Sequence, residues 1–150
     1  MVIYTDGSDI RGQVGGAAVS RVNQKWSCQM AYIGRSEQSA VYAAELAGLL
    51  LALQMAISAG PEVRQVVIFT DNQAAILSAK RPASQSGQWL LRLLTQQLDG
   101  LTSSGVRVAI HWIAAHEGVS CKNKLKKVSR ISSYVYSHVF SLVCNLVLKN

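Results

Sequence analysis

The chain has 150 residues, 49% of them hydrophobic and 15% charged, with 11 Gly and 2 Pro. That length holds one domain whose core needs no disulfide or metal staple, and the composition excludes intrinsic disorder and collagen-like or Pro-rich character. The formal net charge of +7 is local: residues 1–120 carry nine Lys or Arg against eight acids, whereas residues 121–150 carry six and no acid, so the overall charge is no argument that the body binds nucleic acid.

Val2–Ser8 is a buried strand ending in a polar Asp-Gly-Ser turn. Gly15–Val22 and Trp26–Ile33 read as two more strands, and their short polar link predicts an antiparallel hairpin. The period then changes. Leu46, Leu49, Leu50, Leu53 and Ile57 recur at helical spacing between Ser36 and Ala59, with Ser39 as N-cap and Gly60-Pro61 as the stop. Leu51 and Met55 make this helix apolar nearly all round, the mark of a central, heavily buried one.

Val66–Thr70 is a continuous apolar run, hence a buried strand parallel to its neighbour. A short helix is expected from Asp71 to about Ala79, a polar loop over Arg81–Gly87, and an amphipathic helix over Gln88–Leu98 that stops near Gly100. Val106–Ile113 alternates as a half-exposed strand. The order is β-β-β-α-β-α-α-β followed by a tail. Trp26, Trp89 and Trp112 are expected in the core, with Trp89, on a helix face, the candidate to meet nucleic acid instead.

Cys28, Cys121 and Cys144 are odd in number, form no C-x-x-C, and follow a strand-like start instead of a signal peptide. They predict reduced thiols in an intracellular protein, each packed as a small buried hydrophobe.

The eight acids sort by context. Asp9, Glu37, Glu62 and Asp99 fall in loops or at helix ends and are expected to be solvated. Asp6 and Asp71 end buried strands in a shared apolar-aromatic-Thr-Asp pattern, and ligands of open α/β sheets sit beyond such strand ends. Glu45 lies inside the apolar helix, where a carboxylate must be paired, protonated or metal-bound. The nearest cations, Lys25, Lys80 and Arg92, lie on polar stretches. Three carboxylates meeting at one sheet edge repel one another, and a divalent cation resolves the repulsion. Oxygen ligands without Cys or His suit Mg²⁺ or Mn²⁺ better than Zn²⁺. The plain alternative is two Asp N-caps and a surface Glu.

With these residues in place, T-D-G-S at 5–8, A-A-E-L-A at 43–47, T-D-N-Q-A-A-I at 70–76 and H-W-I-A-A-H-E-G-V at 111–119 resemble a ribonuclease H domain of the fungal retrotransposon reverse-transcriptase type, over roughly residues 1–120. The resemblance implies an α/β fold with a mixed five-stranded sheet, order 3-2-1-4-5, and helices on both faces. It implies hydrolysis of the RNA strand of RNA–DNA hybrids with two Mg²⁺ ions, Mn²⁺ being an alternative, and no small-molecule cofactor. Asp6, Glu45 and Asp71 would then be catalytic metal ligands, and His116 would assist proton transfer or product departure. Gly7, Ser8, Asn72 and Gln73 match positions that touch the hybrid. His111, alternating along a strand, reads as a strand-face residue without a catalytic role.

The pattern breaks after Val119. Where the family carries its fourth catalytic Asp, Lys126 stands here, and no acid follows Glu117. An impaired nuclease and an inactive nucleic-acid-binding remnant are therefore both open. Residues 121–150 form an atypical tail whose 131–148 stretch lacks Lys, Arg, Asp and Glu. It reads as a replacement terminal helix, as a weak membrane tail, which its length and polar residues disfavour, or as translation past an exon boundary. The chain is expected to act as a monomer or as part of a larger polyprotein.

Overall fold

A computed structural model describes residues 1–22, 25–37, 41–80 and 87–113, all within the unit Met1–Ile113. The elements run β1 (Val2–Ile10), β2 (Gln13–Val22), β3 (Lys25–Arg35), α1 (Val41–Ser58), β4 (Gln65–Thr70), α2 (Gln73–Lys80), α3 (Gln88–Ser103) and β5 (Arg107–Trp112). Ser39, most of the Arg81–Gly87 loop, His116, Lys126 and the tail lie outside the described residues.

The β1–β2 turn passes through Arg11 and Gly12, both at positive φ (53° and 78°), and the Asp9 carboxylate accepts the Gly12 N–H at 3.0 Å. Such a two-residue turn matches the twist of the strands it joins and sets their register. β1 therefore pairs antiparallel with β2, Asp6 lying opposite Ala17, and β2 pairs antiparallel with β3. The crossover through α1 brings β4 back parallel to β1, with Ile3 opposite Ile68, and β5 parallel to β4, with Thr70 opposite Trp112. The result is a mixed five-stranded sheet in the order β3-β2-β1-β4-β5.

Alternation along the strands sorts the two faces. Ile3, Ala18, Val66 and Ile68 join α1, α3 and Ala75 of α2 in one core. Tyr4 and Phe69 point the other way and stack at 5.3 Å, and Phe69 meets His111 at 5.8 Å. Eleven of the eighteen α1 residues are buried, from Ala44 through Ala56. The mean hydropathy of this helix, 1.6, is high enough for a membrane segment; here sheet and α3 supply the apolar surroundings, and each buried Leu contributes about 1.5–3 kcal/mol.

α1 approaches the sheet at backbone distance. A side chain at Gly16 would run into the Ala44 carbonyl and the Gly48 nitrogen, and one at Gly7 into the Glu45 nitrogen at 2.5 Å. A Cβ at Gly48, on the helix, would lie 3.1 Å from the Ala17 carbonyl and 3.2 Å from that of Asp6, tighter than ordinary contact. Glycine is required here for clearance, whatever its φ. α1 ends as expected: Gly60 adopts φ 86° and donates to the Ile57 carbonyl.

Four expectations are corrected. The Asp6-Gly7-Ser8 turn does not form: β1 runs through these residues to Ile10, each paired with β2, and the turn comes at Arg11 and Gly12. α3 continues past Gly100 to Ser103, because Leu101 is buried and anchors a further turn and the left-handed stop is Gly105, at φ 83°. An exposed helical Gly costs only about 1 kcal/mol, less than burial of one Leu returns. The three tryptophans are not core: Trp26, Trp89 and Trp112 are 42%, 60% and 49% exposed. Trp26 and Trp112 lie on the two edge strands and Trp89 in the first turn of α3, where few elements remain to cover a large ring. Cys28, also on edge strand β3, is exposed for the same reason. Asp9, Glu37, Glu62 and Asp99 are exposed as expected, although Asp9 lies within β1 and Asp99 within α3 and not in a loop or at a helix end.

Candidate metal centre

Asp6 lies within β1, held in the ladder opposite Ala17. Glu45 is carried over the sheet by the first turns of α1. The glycine-lined contact fixes its height, and the Gly7 backbone N–H donates to its carboxylate. Asp71 follows the last residue of β4. It is not the helix cap: Asn72 takes that role, its Oδ1 accepting the Ala75 N–H at 2.9 Å. The alternative of two Asp N-caps thereby loses both members, since Asp6 continues a strand and Asp71 is one residue too early.

The structure brings these three residues together. One carboxylate oxygen from each lies within 4.8 Å of the other two. Glu45 is only 5% exposed, and its Oε2 is buried without a hydrogen-bond partner. Burial first, then the charges of Asp71 and Asp6, push its carboxyl up to about 8, against an opposing pull from the Gly7 N–H. A buried carboxylate with an unused oxygen, facing two more acids, is energetically incomplete by itself.

The donor set fits a hard divalent cation. Oxygen ligands about 2.1 Å from a six-coordinate ion lie up to about 4.2 Å apart across it. Separations of up to 4.8 Å are slightly wider than that, so the three carboxylates would have to draw in a little to share a small ion. Asp6, Glu45 and Asp71 are the residues that could hold it.

Of the other candidate residues, Gly7 forms the floor beneath Glu45, and Ser8 lies two residues along β1 from Asp6, on the same face. Asn72 is half-buried as the cap, and Gln73 opens α2 exposed to solvent. His111 packs on Phe69, in keeping with a strand-face role. His116 falls outside the described residues. Two features were missed in the sequence. Gly16 and Gly48 set the distance between helix and sheet, and a glycine inside a strand and another inside an apolar helix were the available signals. Trp112 donates its indole N–H to the Asp71 carbonyl at 3.0 Å, a contact across 41 residues with no local signature.

Comparison with known proteins gives a consistent result. The family described as RNase H matches residues 1–126. Among solved structures, the chain is similar to RNase H1 of the halophilic archaeon Halobacterium salinarum NRC-1, with 17% identity and a TM-score of 0.56 over 75% of this chain and 84% of that one. It is also similar to the N-terminal RNase H domain of a Mycobacterium tuberculosis protein, solved as a fusion with maltose binding protein, with 22% identity and a TM-score of 0.56 over 76% and 86%. LC11-RNase H1, solved in complex with an RNA/DNA hybrid, aligns with 16% identity and a TM-score of 0.58 over 79% and 88%. At these identities the structural likeness speaks for the fold. A search of curated protein sequences gave no significant match.

Proposed function

The chain belongs to the RNase H family, and from that premise we propose that it hydrolyses the RNA strand of RNA–DNA hybrids using two Mg²⁺ ions, for which Mn²⁺ can substitute. The observation that carries this reading is the Asp6–Glu45–Asp71 cluster, with its oxygens within 4.8 Å and an unsatisfied, buried Glu45. The hybrid bound to LC11-RNase H1 supports the same class of partner.

When bound, the ions would supply a hydroxide at neutral pH and stabilise the departing 3′ oxygen. The chain's own residues do the positioning. Asp6 and Asp71 would hold the ions from the two central strands, and Glu45 from above them. The Gly7 N–H engages the Glu45 carboxylate, and Glu45 Oε2 is left buried without a hydrogen-bond partner. Gly7 and Ser8 follow Asp6 along β1, and Asn72 and Gln73 follow Asp71 beyond β4, where they would meet the hybrid through its shape and 2′-hydroxyls. His116 would assist proton transfer or product departure. A monomer, or one part of a larger polyprotein of the fungal retrotransposon type, acting inside the cell, completes the reading; the odd cysteine count supports the intracellular setting.

One sequence observation favours a second reading, an inactive nucleic-acid-binding remnant: Lys126 stands at the position of the fourth carboxylate, and no acid follows Glu117. Replacing a carboxylate by an ammonium near two divalent ions costs several kcal/mol in a poorly hydrated site, and 3 kcal/mol is roughly a hundredfold in rate. The full chain is therefore expected to cleave a labelled hybrid weakly in Mg²⁺. Asp71→Asn should abolish that cleavage, and Lys126→Asp should raise it by up to about a hundredfold. Metal titration by calorimetry completes the test. Two sites favour the nuclease; no metal binding, with no cleavage from either the full chain or Lys126→Asp, assigns the protein to the remnant.

A further inference from the structure

The three carboxylates are not held with equal security. Asp6 sits in the middle of β1, with β2 on one side in unbroken register. Glu45 is fixed by backbone packing against Gly7. Asp71 lies just beyond the last paired residue of β4, Thr70, and before the first residue of α2, Gln73. Its carbonyl belongs to neither ladder nor helix. The group that engages it comes from the neighbouring strand: the Trp112 indole N–H, at 3.0 Å.

The surroundings make this contact an orienting one. Thr70 lies opposite Trp112, and the Ile113 N–H donates to the Thr70 carbonyl at 2.9 Å, so β5 grips the peptide before Asp71 with its backbone and the peptide after it with the indole. The Asn72 N–H rests on Thr70 Oγ1 at 3.3 Å, and Asn72 caps α2. With the Asp71 carbonyl turned to the indole, the rotation of this residue's backbone is set and so is the direction in which its carboxylate leaves the chain. Half of Trp112 remains exposed, so burial of the ring does not account for its place here. The N–H is the feature that a phenyl ring in the same place could not supply.

We propose that Trp112 is a positioning residue for Asp71, holding that carboxylate in the metal cluster through its carbonyl. The inference rests on the metal-site reading above. It predicts that loss of the indole N–H weakens cation binding while leaving hybrid affinity intact, whereas a Trp that served to stack on nucleic acid would show the reverse.

The test compares the full chain with Trp112→Phe, which keeps an aromatic ring and removes the donor, and with Trp112→His, which keeps an aromatic ring and restores an N–H. Mn²⁺ affinity is measured by calorimetry, hybrid affinity in EDTA, and amide hydrogen exchange in the metal-free protein. Trp112→Phe is expected to weaken Mn²⁺ binding about three- to tenfold with hybrid affinity within twofold of the parent, and to speed exchange at Asp71 and Asn72 at least threefold; partial recovery in Trp112→His strengthens the assignment. Unchanged Mn²⁺ affinity and unchanged exchange in Trp112→Phe overturn it, as does a loss of hybrid affinity alone. If the parent binds no cation, the proposed function fails, and exchange at Asp71 and Asn72 alone still decides for or against Trp112.

Discussion

The two halves of the carboxylate cluster are built on different physical principles. On one side, α1 comes to backbone distance of β1 and β2 at Gly7, Gly16 and Gly48, which leave the required space. On the other, individual hydrogen bonds fix the chain around Asp71: the Trp112 indole donates to its carbonyl, the Ile113 N–H to the Thr70 carbonyl before it, and the Asn72 N–H to Thr70 Oγ1. The first arrangement has no tolerance, because repulsion between backbones rises steeply and a glycine cannot be enlarged. The second is graded, because each hydrogen bond contributes about 1 kcal/mol and can be removed singly. Glu45 is thus placed by exclusion and Asp71 by attraction.

The most severe way to break the comparison is to enlarge a glycine. Gly16→Ala pushes a methyl into the Ala44 carbonyl and the Gly48 nitrogen, both backbone, and should cost about 3 kcal/mol or more. Denaturant unfolding measures this. Gly105→Ala is the control: nothing lies within 4 Å of an added Cβ, and only its φ of 83° is strained, so a loss of about 1–2 kcal/mol is expected. Equal losses at the two positions would mean that clearance beneath α1 is unimportant.

Next, read per pH unit, is the response of Glu45. Its carboxyl titrates at about 8 in the folded chain and near 4.3 when unfolded. Between those values the native state binds more protons than the unfolded state, so the contribution to stability is fullest below about 4.3, falls as pH rises, and is gone above about 8. In EDTA, stability should decline by up to about 1.4 kcal/mol per pH unit across that window, and Glu45→Gln should flatten the slope. Cation binding must displace the Glu45 proton, so metal affinity should rise with pH up to about 8. A metal-free stability that rises over the same range would contradict the burial argument.

The smallest effect sharpens the other half. Asn72→Ala removes the cap of α2 and should cost about 1 kcal/mol in thermal or denaturant unfolding. Asn72→Asp keeps a capping oxygen and should recover most of that stability. Neither change alters the packing of α1, so the Glu45 titration should shift little in Asn72→Ala, and a large shift would show that the two halves are coupled.

Much of this architecture was legible along the chain. The helical recurrence of Leu46, Leu49, Leu50 and Leu53, the apolar run of β4 and the alternation of β5 place the elements, and the two Thr-Asp pairs with Glu45 on the apolar helix single out the cluster. These signals survive in one dimension because they are local: period, caps and the cost of a lone acid among apolar neighbours depend on residues a few positions apart. Other features did not survive. That Asn72 and not Asp71 caps α2 turned on a shift of one residue. That Trp26 and Trp112 are exposed depended on which strands became edges, and that α3 runs past Gly100 depended on burial of Leu101.

Composition and spacing alone determined the order of elements and the acids worth watching. Only the tertiary structure decided that carboxylate oxygens from residues 6, 45 and 71 come within 4.8 Å, that one Glu45 oxygen has no partner, and that an indole from residue 112 engages the carbonyl of residue 71. The physical reason is common to all three. Coulomb repulsion, desolvation and hydrogen bonding act over a few ångströms of space, and the sheet order that brings those segments within range is a property of the whole chain.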